Sequence, residues 1–454
     1  MIKEYTTSMN VSRSGSVLFS KKIITFIFSL CFFTVSIFIN DGIRYSFLLL
    51  FLSWMISVIS LTQAFSYDRQ PYSLYKVFHV FFIFFLGIAP AIQFKHNVSF
   101  WGVSTFSKNQ YILGNLIVIS ILIIYIFLYK IIKPNEKNRC SKYKLLHLKQ
   151  EISWKRLVYI STLFSLFYLW YRGFSFYSLL FRSVENDPRI NLSQSQALII
   201  NSFIRPIPLV CWYIYKIRAT RIKFSIEIFL AIMAILIAFP TGMARYQTAS
   251  LYIPILLLYS KSFKKNINFV LLLSIGLVFI FPILNVFRRV YEGFNPLDAI
   301  VVDIFADMLQ GHYDSYQNLL YVVDNGVITW GRQLLGVFFF WIPRGFWPNK
   351  PVGSGAFVAI TQNFSFSNIS MNFFGEGYIN FGILGILLFV VIIAFLTKYL
   401  DSIFWIFRNH TLVKLFYPFL LGLFFFMLRG DLMSSFAFTL GAIFSVSFVA
   451  FICR

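Results

Sequence analysis

Acidic side chains are scarce in this chain. Its 454 residues include 17 Asp and Glu against 40 Lys and Arg, and charged residues make up only 13%. Soluble domains carry about 25% charged and about 45–50% apolar residues. Here hydrophobic residues reach 58%, which excludes an ordinary soluble globular protein. Cysteine is equally scarce. Cys31 and Cys211 fall inside apolar runs, and Cys140 and Cys453 lie beside basic segments. These positions build neither a disulfide framework nor a Cys/His zinc site, so we expect no metal and no other cofactor. A cleavable leader is not expected either. The first apolar run, Ile23–Asn40, has no small-residue cleavage site and reads as a span.

What the chain has is apolar length. A helix crosses a bilayer with about 20 predominantly apolar residues. About twelve runs approach that length. They are Ile23–Asn40, Tyr45–Phe65, Val77–Ile92, Tyr111–Tyr129, Leu157–Tyr171, Ala197–Tyr215, Phe224–Phe239, Tyr246–Ser260, Ile267–Val286, Phe381–Thr397, Leu415–Leu428 and Met433–Phe451. The expected fold is therefore an all-α polytopic membrane protein with about twelve transmembrane helices. The net charge of +23 does not point to nucleic acid, because the basic residues cluster in alternate connections. Of the 40 Lys and Arg, 26 fall on the side of Lys21 and Lys22. The positive-inside rule then makes both termini cytoplasmic and the opposite connections external. Attraction to anionic lipids of the inner leaflet is a secondary consequence. No internal repeat is visible, which argues against an inverted-repeat transporter.

One long stretch has no convincing span, and it divides the chain into 1–287 (nine spans with short loops), 288–380 (a large outer loop domain, mainly helical) and 381–454 (three spans). Seven of the 17 acidic residues gather in the middle part: Glu292, Asp298, Asp303, Asp307, Asp314, Asp324 and Glu376. A loop this long is usually functional or disordered. This one is rich in Phe, Trp, Tyr, Gly and Pro rather than low-complexity polar residues, so we read it as folded.

Candidate chemistry follows from residue type and place. Arg205 sits in mid-span beside Pro206 and Pro208, where a cation either pairs structurally or faces a cavity. Arg245 ends the tight outer turn after Pro240. It is either an interface anchor or a phosphate contact, since guanidinium binds phosphate oxygens in bidentate fashion. Arg288 and Arg289 leave the ninth span against the charge bias and suit an anion. Pro296–Asp324 reads as helical, with Asp303, Asp307 and Asp314 on one stripe at about 100° per residue. That stripe is either a solvated face or the source of a general base, and His312 points away from it. The run Phe340–Gly355 combines stiff prolines, aromatic faces such as Trp347, and the cations Arg344 and Lys350. It is either a rigid structural loop or a surface for a sugar phosphate. Glu376 stands between Gly375 and Gly377, where a carboxylate either caps backbone N–H groups or acts as a base.

The pattern Pro343-Arg344…Trp347-Pro348…Lys350-Pro351, followed by Gly375-Glu376…Asn380…Gly382, resembles the O-antigen polymerase and oligosaccharide repeat-unit polymerase family. The expected architecture is similar too, and Arg245 and the Arg344 to Gly355 spacing fit the family pattern. The resemblance implies a GT-C-like membrane glycosyltransferase in the bacterial inner membrane, with its large loop periplasmic. It would join oligosaccharides carried on undecaprenyl pyrophosphate, as both donor and acceptor, without a nucleotide sugar. Its expected neighbours are the bilayer and the chain-length regulator and flippase of the same pathway. Glu376, Asp303, Asp307 and His312 become the candidates for proton transfer. Arg205, Arg245, Arg288, Arg289, Arg344, Lys350 and Trp347 become the candidates for substrate binding. An O-antigen ligase shares these features; a flippase or other transporter is the reading from another class.

Overall fold

A computed structural model describes residues 23–39, 41–66, 70–132, 153–181, 194–219, 221–286, 304–407 and 411–453. Arg288, Arg289 and Asp303 lie outside these residues. The described chain is helical and contains no strand. Among the described residues, eight helices are long and apolar enough to cross a membrane: Phe47–Ser66, Leu74–Lys95, Lys108–Ile131, Ser195–Arg218, Phe224–Gly242, Ile267–Leu284, Phe373–Ile406 and Leu432–Ile452. This is the organisation of a multi-pass helical membrane protein. The other four apolar runs are also helical, over Ile23–Phe38, Trp154–Tyr171, Arg245–Tyr259 and Thr411–Arg429.

The helices form two packed bodies. One centres on Leu74–Lys95, which is surrounded so completely that its whole apolar window is buried. Its start is held by Asp401, whose carboxylate accepts from Leu74 N at 2.9 Å and Tyr75 N at 3.1 Å. Those N–H groups would otherwise be orphans of the first helical turn. The second body gathers Trp154–Tyr171, Ile207–Arg218, Phe224–Ile237 and Leu432–Ile452 around a separate core.

Two helices make the seam. Thr411–Arg429 sends Tyr417, Leu421, Phe424 and Leu428 into the first core, and Leu415, Phe419, Leu423 and Phe426 into the second. Spacings of three and four residues put each set on one face. Arg245–Tyr259 divides in the same way, with Ile253 and Leu257 on one side and Leu251 and Ile255 on the other. Gly422 lets the two backbones meet, because a Cβ there would overlap the backbone of Ser250. Near the end of this contact Tyr246 and Phe426 stack with ring centroids 3.4 Å apart.

The described part of the long loop shares the first core instead of building its own. Met308, Tyr313, Tyr316, Leu319, Val337 and Val358 belong to the same cluster as the Leu74–Lys95 residues. Gln93 donates to the carbonyls of Met308 and Tyr313, both at 3.0 Å. Tyr316 donates to Asn115 Oδ1 at 2.9 Å.

The motif around Glu376 is a helix break. Phe373–Ile406 is interrupted at Phe381 and Gly382, and Gly382 has φ +64°, a value that suits glycine. The loop fills the carbonyls freed by the break. Thr329 N donates to Ile379 O at 2.6 Å, and Gly331 N to Asn380 O at 3.0 Å. The Asn380 side chain accepts from Leu334 N at 3.1 Å.

Candidate active site

A cavity of about 450 Å³ opens at one end of the seam. Its walls come from six separate parts of the chain: Trp101, Arg245 and Tyr246, Phe281, Gln310 to Asp314, Phe366 to Ser370, and Phe425 to Ser434. Two arginines face it. Arg245 is the first residue of its helix and lays its guanidinium over the Phe281 ring at 3.8 Å. It donates to Phe281 O at 3.2 Å. Arg429 ends the Thr411–Arg429 helix and grips the loop. It donates to His312 O at 2.8 Å and to Ser370 Oγ at 2.9 Å, and lies 3.4 Å from Asp314 Oδ1. Burial raises the Asp314 carboxyl above its usual range, and the charge of Arg429 opposes that rise.

His312 comes to this cavity through a chain break. The predicted continuous helix over 296–324 is not what forms across the described residues. A helix over Ile304–Met308 ends, a single 3-10 turn covers Gly311–Tyr313, and a new helix runs over Ser315–Asp324. The stripe that would align Asp307 with Asp314 is thereby broken. The reversal instead brings His312 Nε2 to 2.8 Å from Asp307 Oδ1. The physical reason is local. The helix ends at Met308, and Gly311 in the turn that follows leaves room for the Trp101 ring, which a Cβ would overlap. Trp101 is then held by Asp314 Oδ2 at 3.2 Å and stacks on Phe366 at 5.1 Å.

Burial lowers His312 from 6.5 to about 4; Asp307 pulls it back up, and Arg245 and Arg429 push it down. The imidazole is thus neutral at neutral pH and able to accept a proton. The sign for stability follows by linkage. Between pH 4 and 6.5 the unfolded chain holds the extra proton, so folding stability rises with pH across that window. The full effect is on the order of 3 kcal/mol at about 1.36 kcal/mol per unit. In detergent, thermal midpoints measured from pH 4 to 7 are expected to climb for the wild type. The climb should be clearly smaller for His312→Gln; an equal climb in both removes His312 as its source.

The remaining candidates separate into distinct places. Arg205 is buried and braces the turn before Arg245. It donates to Ile237 O at 3.0 Å and Gly242 O at 3.2 Å and lies over the Tyr168 ring. Lys350 is buried and ties its own loop together through Phe340 O at 2.5 Å and Ile342 O at 2.9 Å. Arg344 is exposed and donates to Lys350 O at 2.8 Å. Trp347 is half-buried in the same loop, and none of these three lines the cavity. Glu376 is fully buried, with both oxygens engaged by Ser354 Oγ at 2.6 Å and Leu432 N at 2.9 Å. It stands behind Asp431, which does line the cavity and caps the last helix through Met433 N at 3.0 Å. Burial raises the Asp431 carboxyl, opposed by the backbone N–H groups it accepts, Gly355 N first among them.

Two cavity residues escape a reading of the sequence. Arg429 closes an apolar run and looks like an interface anchor, the same bland reading that Arg245 carries. Asp431 carries no signal. No protein-family model, curated protein or solved structure matches this chain.

Proposed function

We propose that the chain joins saccharide units carried on a polyprenyl pyrophosphate, outside the cytoplasmic face of a bacterial inner membrane. The observation that carries this reading is one cavity holding two arginines beside a neutral histidine and its carboxylate partner. Pyrophosphate leaves as an anion and needs neutralisation more than protonation. Arg245 and Arg429 supply fixed positive charge where that charge develops. His312, whose Nε2 lies 2.8 Å from Asp307 Oδ1, takes the proton of the attacking sugar hydroxyl. The acceptor oxygen bonds to the donor's anomeric carbon as the bond from that carbon to the pyrophosphate oxygen breaks. The proton goes to His312 and the electron pair goes to the polyprenyl pyrophosphate. Asp307 stabilises the imidazolium formed. Bound side by side, two lipid-borne chains gain the further advantage of proximity.

Twelve spans, cytoplasmic termini and a periplasmic loop belong to the same proposal. Arg288, Arg289 and Asp303 remain candidates from the sequence. Glu376 is better suited to bracing the last helix than to proton transfer, since neither oxygen reaches the cavity. The experiment is deletion of the gene followed by gel analysis of surface polysaccharide. A core bearing a single repeat unit is the expected result. Bare core with accumulated lipid-linked polymer would instead assign the ligase reaction, and unchanged long chains would overturn the proposal.

A further inference from the structure

A second cavity, of about 540 Å³, opens at the opposite end of the same seam. The helices that form the arginine cavity with one end form this one with the other. Leu257 and Leu258 lie near the end of the helix that Arg245 begins, and Lys414 near the start of the helix that Arg429 ends. At 1.5 Å per residue the two cavities are roughly 20 Å apart along the helices. The second cavity has a different chemistry. Tyr72, Phe404 and Trp405 form an aromatic wall, with ring centroids 5.0 Å apart for Tyr72 and Trp405 and 5.5 Å for Tyr72 and Phe404. Lys216, Lys264 and Lys414 complete it, and among the described residues no carboxylate lines it.

The three lysines are not equivalent. Lys216 is already paired, 2.6 Å from Glu227 Oε1. Lys264 and Lys414 are exposed, and among the described residues neither forms an ion pair. Both lie in the basic connections that charge counting assigns to the cytoplasmic side, where the leaflet is anionic. The wall between them is built before any ligand arrives. Pro418 removes the N–H that would bond to Lys414 O, and Tyr213 OH fills that carbonyl at 2.7 Å. Trp405 Nε1 donates to Tyr72 O at 3.3 Å, which fixes the indole.

We propose that this cavity holds one anionic phospholipid, with its phosphate between Lys264 and Lys414 and its glycerol and first acyl carbons against Leu257, Phe404 and Trp405. The volume exceeds what a phosphate ion fills, and beyond the lysines the lining is mainly aromatic and aliphatic. Zwitterionic headgroups carry an ammonium that two unpaired lysines would repel. Free anions would leave the aromatic wall uncovered. The lipid would bridge the two helical bodies at the end of the seam remote from the arginines.

The test is a thermal-shift titration of the purified full chain in detergent with dioleoyl-phosphatidylglycerol, dioleoyl-phosphatidylcholine or inorganic phosphate. Phosphatidylglycerol is expected to raise the midpoint saturably, with at least tenfold weaker apparent affinity in Lys264→Gln/Lys414→Gln. Trp405→Ala keeps the charges and is expected to lose several-fold. Should the double variant not fold, the exposed single change Lys264→Gln is read instead, with a loss of threefold or more expected. The proposal is overturned if phosphatidylcholine stabilises as strongly, if inorganic phosphate alone reproduces the shift, or if the variants bind like wild type. Since the readout is binding, its failure is separate from failure of the polymerase reading.

Discussion

Polymer synthesis is expected to fall by ~10²–10³-fold when Arg245 is replaced by alanine, and by a comparable factor for Arg429→Ala, the scale of removing one preorganised donor at a developing anion, about 2.7–4 kcal/mol. Lysine at either position keeps the charge and loses the planar fork, so both Lys variants should retain part of the activity and none of the bidentate geometry. The two arginines differ in what else they do. Arg429 also holds His312 O, Ser370 and Asp314, so its alanine variant should lower the thermal midpoint as well as the rate. Arg245 leans on Phe281, and its variant should affect rate more than stability. The measurement is chain-length distribution on gels in a deletion strain, with membrane levels of each variant checked in parallel. Wild-type polymer from both alanine variants at normal protein levels would remove pyrophosphate from this cavity.

Filling the seam should have a large effect on folding. A Cβ at Gly422 would overlap Ser250 backbone atoms, which cannot swing aside as a side chain can. Overpacking usually costs about 1–3 kcal/mol and sometimes more. Gly422→Ala should therefore reduce the thermal midpoint, and Gly422→Leu should abolish monodisperse protein in detergent. Because the two bodies meet through this helix pair, and because both cavities sit at its ends, Gly422→Ala should weaken activity and phosphatidylglycerol binding together. Full stability in Gly422→Leu would mean that the two helices do not pack as closely as described.

The break at Gly382 shows how a motif can be visible while its role is not. Gly375, Glu376, Asn380 and Gly382 stand out in the sequence because glycines and polar residues interrupt an apolar stretch. Their place suggested a carboxylate exposed to an incoming substrate. In the folded chain the same residues serve the break itself: Gly382 turns the backbone, the loop satisfies its carbonyls, the Asn380 side chain accepts from Leu334 N, and Glu376 receives Leu432 N. A Glu376→Gln variant that still builds long chains would fit that bracing role, whereas complete loss at normal protein levels would return the carboxylate to the proton-transfer step.

What the sequence determined by itself was local. Helix positions follow from apolar runs, since a helix in lipid satisfies its own backbone within one segment. The asymmetry of charge follows from counting, and the special turns are marked by Pro240, Gly311 and Gly382. Tertiary structure alone decided which polar groups meet. His312 and Asp307, five residues apart, are the local exception: they pair because a helix ends between them, which a 100° count cannot foresee. Arg245 and Arg429 face one cavity because Gly422 brings two distant helices together, and Arg205 and Lys350, marked for a substrate, spend their donors on nearby carbonyls. The reason is one of range: periodicity and capping act over a few residues, whereas the cavity draws on positions from Trp101 to Ser434, and only packing of the whole chain brings them within reach of one another.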